Sequence, residues 1–237
     1  MPLRRNMAHG YRPHREESGD AVAGAVVDAS LAQPAPGVMV RPARQNDPIA
    51  GMVYDAAPQA YSAVAGSERA ARAALEELWR TLGHSASFEH ALVAEVDGTV
   101  VGVLIGFAAR DRYRLHFALL RKGLRYVSIR RWPLLLAALP HLIAATPRPP
   151  QCTYYVGTIA IARDARRRGV ASTLGYHAEL VARRRGFPLI VAHTGSRHIA
   201  ARHALERYGL SASKDRRWGY VLYAKPLARE SSAPQAV

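Results

Sequence analysis

Residues 158–186 read TIAIARDARRRGVASTLGYHAELVARRRG, the most informative stretch of the chain. An apolar strand is followed by a polar turn with three consecutive arginines, a glycine and a helix. The helix is amphipathic, because Leu174, Ala178 and Val181 recur at helical spacing on one face before Gly186 ends it.

The turn in this unit is suited to an anion. The first N–H groups of a helix have no helical partner, and the aligned peptide dipoles place partial positive charge there. Gly169 lets a phosphate approach the backbone, Ala171 keeps the next turn small, and formal charge comes from Arg166, Arg167 and Arg168. The patterns of the common nucleotide-binding loops are absent. From the residues alone, the turn is either a solvated basic loop or a phosphate site.

Strands and helices are predicted on both sides of this unit. Upstream, Asp47 followed by Pro48 predicts a helix start, and Ser67 predicts the N-cap of a second helix. A hairpin is predicted at residues 90–107, and its strands are apolar on both faces, which places them under helices. Downstream, a strand, a helix and an aromatic strand are predicted at residues 187–193, 196–208 and 218–227.

One folded domain is predicted over residues 38–227. Residues 1–37 contain few large apolar side chains and end in AQPAPG, which predicts a disordered basic leader. Residues 228–237 are predicted to form a flexible tail. Residues 108–150 are strongly basic, rich in leucine and interrupted by prolines, which predicts an insertion made of short helices.

The composition favours a cytoplasmic protein that attracts anions. The formal net charge is +15 and the isoelectric point is near 10.7, which admits nucleic acid, an anionic membrane surface or a polyanionic small ligand as a partner. Cys152 is the only cysteine, so no intrachain disulfide can form, and it is interpreted as a semi-buried side chain at a strand entrance. The most apolar stretch, residues 132–146, is too short to span a bilayer.

The motif Arg166-x-x-Gly169-x-Ala171, between the strand TIAIA and an amphipathic helix, resembles the pyrophosphate-binding signature of the GNAT superfamily of N-acetyltransferases. That signature reads Arg/Gln-x-x-Gly-x-Gly/Ala. The segment HIAARHALERYGL also resembles the family's helix that ends in Gly-Phe, with Gly209 and Leu210 at those positions. The order of elements agrees as well. The likeness covers roughly residues 38–227 apart from the insertion.

The resemblance implies an α/β fold of the GNAT type, with a mixed α+β sheet that splays between the strands TIAIA and LIVAH. The pantetheine arm of acetyl-CoA would enter this splay. The acceptor's primary amine would attack the thioester directly, so neither an enzyme nucleophile nor a metal is expected, and a backbone N–H near Ile161 would favour the developing oxyanion. The implied coenzyme-binding residues are Ile159, Ala160, Ile161, Arg166, Arg167, Arg168, Gly169, Val170, Ala171 and Ser172.

The catalytic groups depart from the family pattern. Many members carry a tyrosine four residues before the Gly-Phe pair to protonate the departing thiolate, and here that position is Leu205. Tyr208, three residues later, is the candidate acid, with packing at the helix end as the alternative. His198 replaces the asparagine that often precedes this helix. The candidate bases, each with a solvent-facing or core role as the alternative, are Glu95, Glu206 and His193.

Two functions are compatible with these features. The first is an N-acetyltransferase acting on an unidentified amine. The insertion carries nine cations against one acid, Asp111, and we expect it to lie beside the acceptor entrance. Cations at that place would favour an acceptor with carboxylate or phosphate groups. The same cations suit a non-catalytic basic module of this fold that binds nucleic acid or an anionic membrane surface. The sequence does not define the oligomeric state.

Overall fold

The structure is a computed structural model that describes residues 34–133, 135–137, 148–217 and 219–227. Of the predicted leader it describes residues 34–37, whereas residues 1–33 and the predicted tail at 228–237 lie outside the described residues. Part of the insertion, residues 138–147, also lies outside them. The domain boundaries therefore stay predictions.

Within the described residues, seven strands form a mixed sheet in the order β1-β2-β3-β4-β5-β7-β6. Neighbouring strands are antiparallel except for β4 and β5, which are parallel. The predicted α/β class with a mixed sheet is confirmed. The strands are β1 Met39–Pro42, β2 Ala91–Val96, β3 Thr99–Ala108, β4 Tyr154–Ile161, β5 Leu189–Gly195, β6 Ser211–Arg217 and β7 Tyr220–Pro226.

The α-helices come between strands along the chain, and they pack on both faces of the sheet. Ser67 caps α3 as predicted, because its side chain accepts a hydrogen bond of 3.2 Å from the Ala70 N–H. The α-helices whose full extent lies within the described residues are α1 Ala50–Ala56, α2 Pro58–Ala65, α3 Glu68–Arg80, α4 Arg112–Gly123, α5 Val170–Arg184 and α6 Ile199–Arg207.

Two local predictions are wrong. The helix expected at Asp47 begins at Ala50, because the Asp47 carboxylate accepts the Arg44 N–H at 2.6 Å and pairs with Arg41 at 2.8 Å, which holds it in the preceding turn. Cys152 is exposed instead of semi-buried, because it lies in the surface turn before β4.

The hairpin strands β2 and β3 are buried on both faces, as their sequence predicted. On one face, Val103 and Ile105 pack in a core with residues of α1, α3 and α4, namely Val53, Trp79 and Leu115. On the other face, Leu104 packs against α5 through Leu174 and Ala178. Full burial of a large aliphatic side chain contributes about 1.5–3 kcal/mol. These two cores fix β3 and β4 between the helices.

The centre of the sheet splays between β4 and β5. Their parallel pairing covers Tyr154 with Ile190, Tyr155 with Val191, and Val156 with Ala192. The register between β3 and β4 shifts at Gly157, because Ile105 pairs with Thr158 whereas Gly106 pairs with Val156. This β-bulge lies directly after Val156, the last β4 residue that pairs with β5. The predicted splay is confirmed.

The described part of the insertion is helical, as predicted. A 3-10 turn at Ala109–Asp111 leads into α4, and further 3-10 turns follow at Leu124–Tyr126 and Ile129–Arg131. Leu115 is only 1% exposed and anchors α4 in the core. Lys122 donates to the Leu82 carbonyl at 2.5 Å and Arg131 to the Ala63 carbonyl at 2.6 Å. No helix in the described residues has the length and apolarity to cross a bilayer.

Candidate active site

The loop after β4 presents backbone N–H groups at the start of α5. Arg167 and Gly169 take left-handed conformations, with φ of 63° and 78°. The first helical hydrogen bond of α5 runs from the Thr173 N–H to the Gly169 carbonyl at 2.9 Å. The N–H groups from Val170 to Ser172 precede that bond and therefore have no partner within the helix. Together with the helix dipole, they form a compact anion-binding end.

Three exposed arginines surround this turn, at positions 166–168. Arg166 turns back toward the strand, where its Nε donates to the Ile161 carbonyl at 3.2 Å. Arg163, earlier in the loop, pairs with Asp55 of α1 at 3.1 Å, which ties the loop to the helix layer on the opposite face of the sheet. The loop is thus held at its start and positively charged at its exposed turn.

A segment that precedes β1 also contacts this loop. The Ala35 N–H donates to the Thr173 hydroxyl at 2.9 Å, and the same hydroxyl donates to the Gly169 carbonyl at 3.1 Å. A Cβ placed on Gly169 would lie 2.7 Å from the Ala35 Cβ. Gly169 is therefore needed both for its left-handed backbone and for this close approach. Nothing in the local sequence of AQPAPG signals this contact.

The predicted pantetheine-binding residues lie on an open strand edge. From Thr158 to Ile161, β4 pairs with β3 on one side and, among the described residues, with no strand on the other, whereas Gly157 is the unpaired bulge residue. Ile159 is 40% exposed at this edge, whereas Ala160 is buried. The structure therefore brings Ile159, Ala160 and Ile161 into line with the arginine-rich turn and the first turn of α5.

Tyr208 lies at the C-terminal end of α6, against α5. Its ring fills the space beside Gly175, where a Cβ would lie 2.7 Å from the ring, and the Lys225 Nζ lies 4.5 Å from the ring centroid. Burial, followed by the charge of Glu179, raises the pKa of the Tyr208 hydroxyl, which therefore keeps its proton at neutral pH. Lys225 pairs with Ile190, so Tyr208 lies at the level where β4 and β5 are still joined. Its catalytic role stays a prediction.

The other predicted catalytic positions are dispersed. Glu95 pairs with Arg41 at 2.5 Å on β2, and β3 separates it from the open edge. Glu206 accepts the Tyr223 hydroxyl at 3.0 Å on the α6 side. Leu205, at the family's tyrosine position, packs in a small apolar cluster with Tyr208. No group of three or more His, Cys, Asp or Glu side chains in the described chain could hold a metal.

His193 lies at the mouth of the splay, one residue after the last β5 residue that pairs with β4. Its Nδ1 lies 2.6 Å from the Tyr155 hydroxyl, and the two rings stack at 5.6 Å. Burial lowers the pKa of His193 to about 4, with further lowering by Arg112 and His116. The sequence pointed to His193. Tyr155 and Arg112 were missed, because nothing in their local sequence distinguishes them from core or surface residues.

Comparison with known proteins agrees with this geometry. The sequence model of the acetyltransferase (GNAT) family matches residues 52–210, a range that contains β4, the arginine-rich turn and His193. The chain belongs to the GNAT acetyltransferase family. The predicted family membership is thereby confirmed. No curated protein sequence matches this GNAT chain.

Solved structures share the fold of this GNAT protein. One, described as an acetyltransferase, superposes with a TM-score of 0.58 at 18% identity, covering 80% of this chain and all of that one. Another, an N-acetyltransferase from Staphylococcus aureus Mu50, superposes with a TM-score of 0.50 at 18% identity, covering 78% of this chain and 98% of that one. At this identity they show the fold alone.

Proposed function

We propose that this GNAT protein is a cytoplasmic N-acetyltransferase that moves the acetyl group of acetyl-CoA to a primary amine. The observation that supports this most is one continuous track of backbone groups. It runs along the open edge of β4, through the left-handed turn at Arg167 and Gly169, and into the first turn of α5. An extended chain of amides followed by a pyrophosphate matches such a track, since the amides pair like a strand and the pyrophosphate meets helix N–H groups.

The residues present fit the coenzyme's charged part. Gly169 holds the left-handed turn that begins α5, and the N–H groups of Val170, Ala171 and Ser172 precede the first helical hydrogen bond. The exposed guanidinium groups at 166–168 add formal charge that salt screens. We expect the backbone to supply most of the affinity and these side chains to add to it.

The chemistry requires little from side chains. Acetyl-CoA supplies an activated thioester carbonyl when bound. The amine nitrogen forms a bond to the carbonyl carbon and gives up one proton to water, the C–S bond breaks, and its electron pair leaves with sulfur. The protein holds the two reactants in line, and an N–H group on the open edge of β4 supplies a hydrogen bond for the oxyanion.

Tyr208 is retained in this proposal as the donor of a proton to the departing thiolate. The support is that its phenol keeps its proton at neutral pH and that its ring is held between α5 and Lys225. The alternative is packing only, with water as the proton source. Substitution by phenylalanine separates the two, because it keeps the ring and removes the proton.

The insertion is proposed to border the acceptor. Its helix α4 packs in the core on the sheet face opposite α5, and its first residue, Arg112, reaches the splay. Most of the other cations are exposed, which fits an acceptor with carboxylate or phosphate groups. A basic nucleic-acid or membrane module remains the competing function, and it predicts no coenzyme binding.

The test is the substitution Gly169→Asp, which places a carboxylate where the pyrophosphate would bind. Wild-type protein at one hundred times the dissociation constant of acetyl-CoA should gain about 2.7 kcal/mol of stability, measured by thermal unfolding. The variant should gain none, because like charges repel at the helix end. An unchanged gain in the variant would refute the assignment of this loop.

Two control variants make the test specific. Gly186→Asp introduces the same side chain at a similar φ, 75°, at the other end of α5 with open space around it, and it should keep the coenzyme response. Combining Ala35→Gly with Gly169→Asp removes the contact between the two Cβ atoms, so that charge alone is tested. Absence of any acetyl-CoA response in the wild type, together with binding to a DNA oligonucleotide, would favour the basic module.

A further inference from the structure

A polar group formed by His193, Tyr155 and Arg112 occupies the sheet face opposite α5. Val191 packs on that face, and His193 follows it by two positions, so the two side chains share a face. Tyr155 belongs to the same core, and Arg112 is only 4% exposed. These groups come from β5, β4 and α4, and they meet where β4 and β5 separate.

The position of His193 along the sheet places it near the reacting end of the coenzyme. The pyrophosphate loop follows Ile161, and the open edge of β4 runs from there back to Gly157, a span of about 13 Å at 3.3 Å per residue. An extended pantetheine arm that begins at the loop therefore ends near the closed end of the splay, where Val156 and Ala192 form the last pair between β4 and β5. His193 is the first β5 residue beyond that closed end.

The hydrogen bonds fix which ring nitrogen carries the proton. Arg112 hydrogen-bonds the Tyr155 hydroxyl, and a guanidinium can only donate, so the phenol oxygen accepts. Tyr155 is 1% exposed, and burial raises its pKa to about 12, so its hydroxyl keeps a proton that needs an acceptor. Within the described chain, the acceptor in reach is His193 Nδ1, at 2.6 Å.

The imidazole therefore carries its proton on Nε2. The ring is neutral at pH 7, because burial and the nearby Arg112 and His116 lower the pKa of His193 to about 4. Tyr220 of β7 packs on it with ring centroids 5.5 Å apart, which together with Tyr155 fixes the ring. Nε2 has no hydrogen-bond partner among the described residues. A neutral imidazole with this proton is a donor and not the base suggested by its sequence position.

We infer that His193 donates a hydrogen bond from Nε2 to the thioester carbonyl oxygen, and that Arg112 and Tyr155 position it. The inference rests on the proposed function. As the amine nitrogen bonds to the carbonyl carbon, negative charge develops on this oxygen. The oxygen's electron pair then re-forms the C=O bond as the C–S bond breaks and sulfur leaves. The His193 proton stays on Nε2 throughout. Donors from the β4 edge and from β5 would thus contact the same oxygen from two strands.

The test uses the infrared band of the carbonyl in protein-bound acetyl-CoA labelled with carbon-13 at the acetyl carbonyl. A hydrogen bond from Nε2 weakens the C=O bond, so the band should lie at lower wavenumber than in free acetyl-CoA. His193→Phe should remove part of this displacement, and His193→Gln, which keeps an N–H donor, should restore some of it. His203→Phe is the control, because His203 is exposed on α6. Equal band positions in wild type and His193→Phe would overturn the inference.

Two further measurements keep the inference testable if His193→Phe does not fold. Nitrogen-15 NMR of the wild type should show the proton on Nε2, and a proton on Nδ1 would contradict the assignment. With hydroxylamine as a surrogate amine, His193→Ala should lower kcat for thiol release toward the roughly 10²-fold loss typical of removing one oxyanion donor, with the KM for acetyl-CoA little changed. His193→Gln, which keeps an N–H donor, should lose less, and Tyr155→Phe should also lower kcat, because it removes the group that positions the ring. Failure of the proposed function is distinct, since the wild type would then show no thermal response to acetyl-CoA.

Discussion

The buried ion pair between Lys225 and Glu179 gives the sharpest stability prediction. The Glu179 side chain is fully buried, and its Oε1 accepts from the Lys225 Nζ at 2.6 Å while its Oε2 accepts from Arg183 at 3.0 Å. Lys225→Met removes the first partner and leaves the buried carboxylate with Arg183 and the Tyr208 hydroxyl. Breaking a buried pair costs about 3–5 kcal/mol. Because Arg183 remains, we expect a loss near the lower end, about 3 kcal/mol.

Urea unfolding at pH 7, followed by circular dichroism, measures this loss. A loss of about 3 kcal/mol corresponds to a Tm lower by about 6–12 °C in a chain of this size. Glu179→Met alone should also destabilise, because it leaves the Lys225 ammonium buried. The double variant should recover much of the stability, since two apolar side chains of suitable volume replace a buried pair at little cost.

The control is Arg114→Met, because Arg114 is 69% exposed and lies 3.4 Å from Asp111, and an exposed pair contributes about 0–1 kcal/mol. A cost below about 1 kcal/mol for Lys225→Met, or a double variant no more stable than either single one, would refute the reasoning about this pair.

Tyr208, His193 and the cations of the insertion can each be tested by substitution. Tyr208→Phe should lower kcat by roughly 10² to 10⁴ fold if the phenol protonates the thiolate, with coenzyme affinity unchanged, and a drop below about threefold would assign Tyr208 to packing. The pKa of His193 is about 4 in the folded protein and about 6.5 in the unfolded chain, so the stability that depends on the neutral imidazole is present above pH 6.5 and is lost as pH falls toward 4. Between pH 7 and pH 5, the free energy of unfolding of the wild type, measured with urea, should fall by about 2 kcal/mol more than that of His193→Phe. Equal falls in the two proteins would contradict this prediction. Replacing Arg121, Lys122 and Arg125 of the insertion by glutamine should raise the KM for the acceptor and flatten its dependence on salt, without changing the affinity for acetyl-CoA. Unchanged acceptor kinetics would show that these three cations form only a solvated surface.

Local signals in the sequence predicted much of this structure. The turn at 166–171 could be located because its requirements are met by adjacent residues: a glycine at a left-handed position, small neighbours and a helix start. The hairpin strands were predicted correctly as buried on both faces, because their apolar runs admit no solvent-facing side. Ser67 as a helix cap depends only on residues within one turn.

The features that the sequence did not reveal depend on partners distant in the chain. Asp47 is held out of a helix by Arg41, and that pair depends on the shape of the β1 turn. Tyr155 meets His193 only because β4 and β5 pair in one register, and a shift by one residue would turn either ring to the other face. Arg112 is one of nine similar cations, and only the packing of α4 distinguishes it by burial.

The short contact between β4 and β5 has a mechanical consequence. Strands β1 to β4 form one half of the sheet and β5 to β7 the other, and three consecutive residue pairs, ending at Val156 and Ala192, join them by strand pairing. A molecule that pairs with the β4 edge and also contacts β5 restricts the motion of the two halves relative to each other. Amide exchange should then slow at residues 157–161 and 193–195 together when such a molecule binds, although only the first segment receives its hydrogen bonds. Stiffness at the reacting centre would thus come from the substrate as much as from the protein.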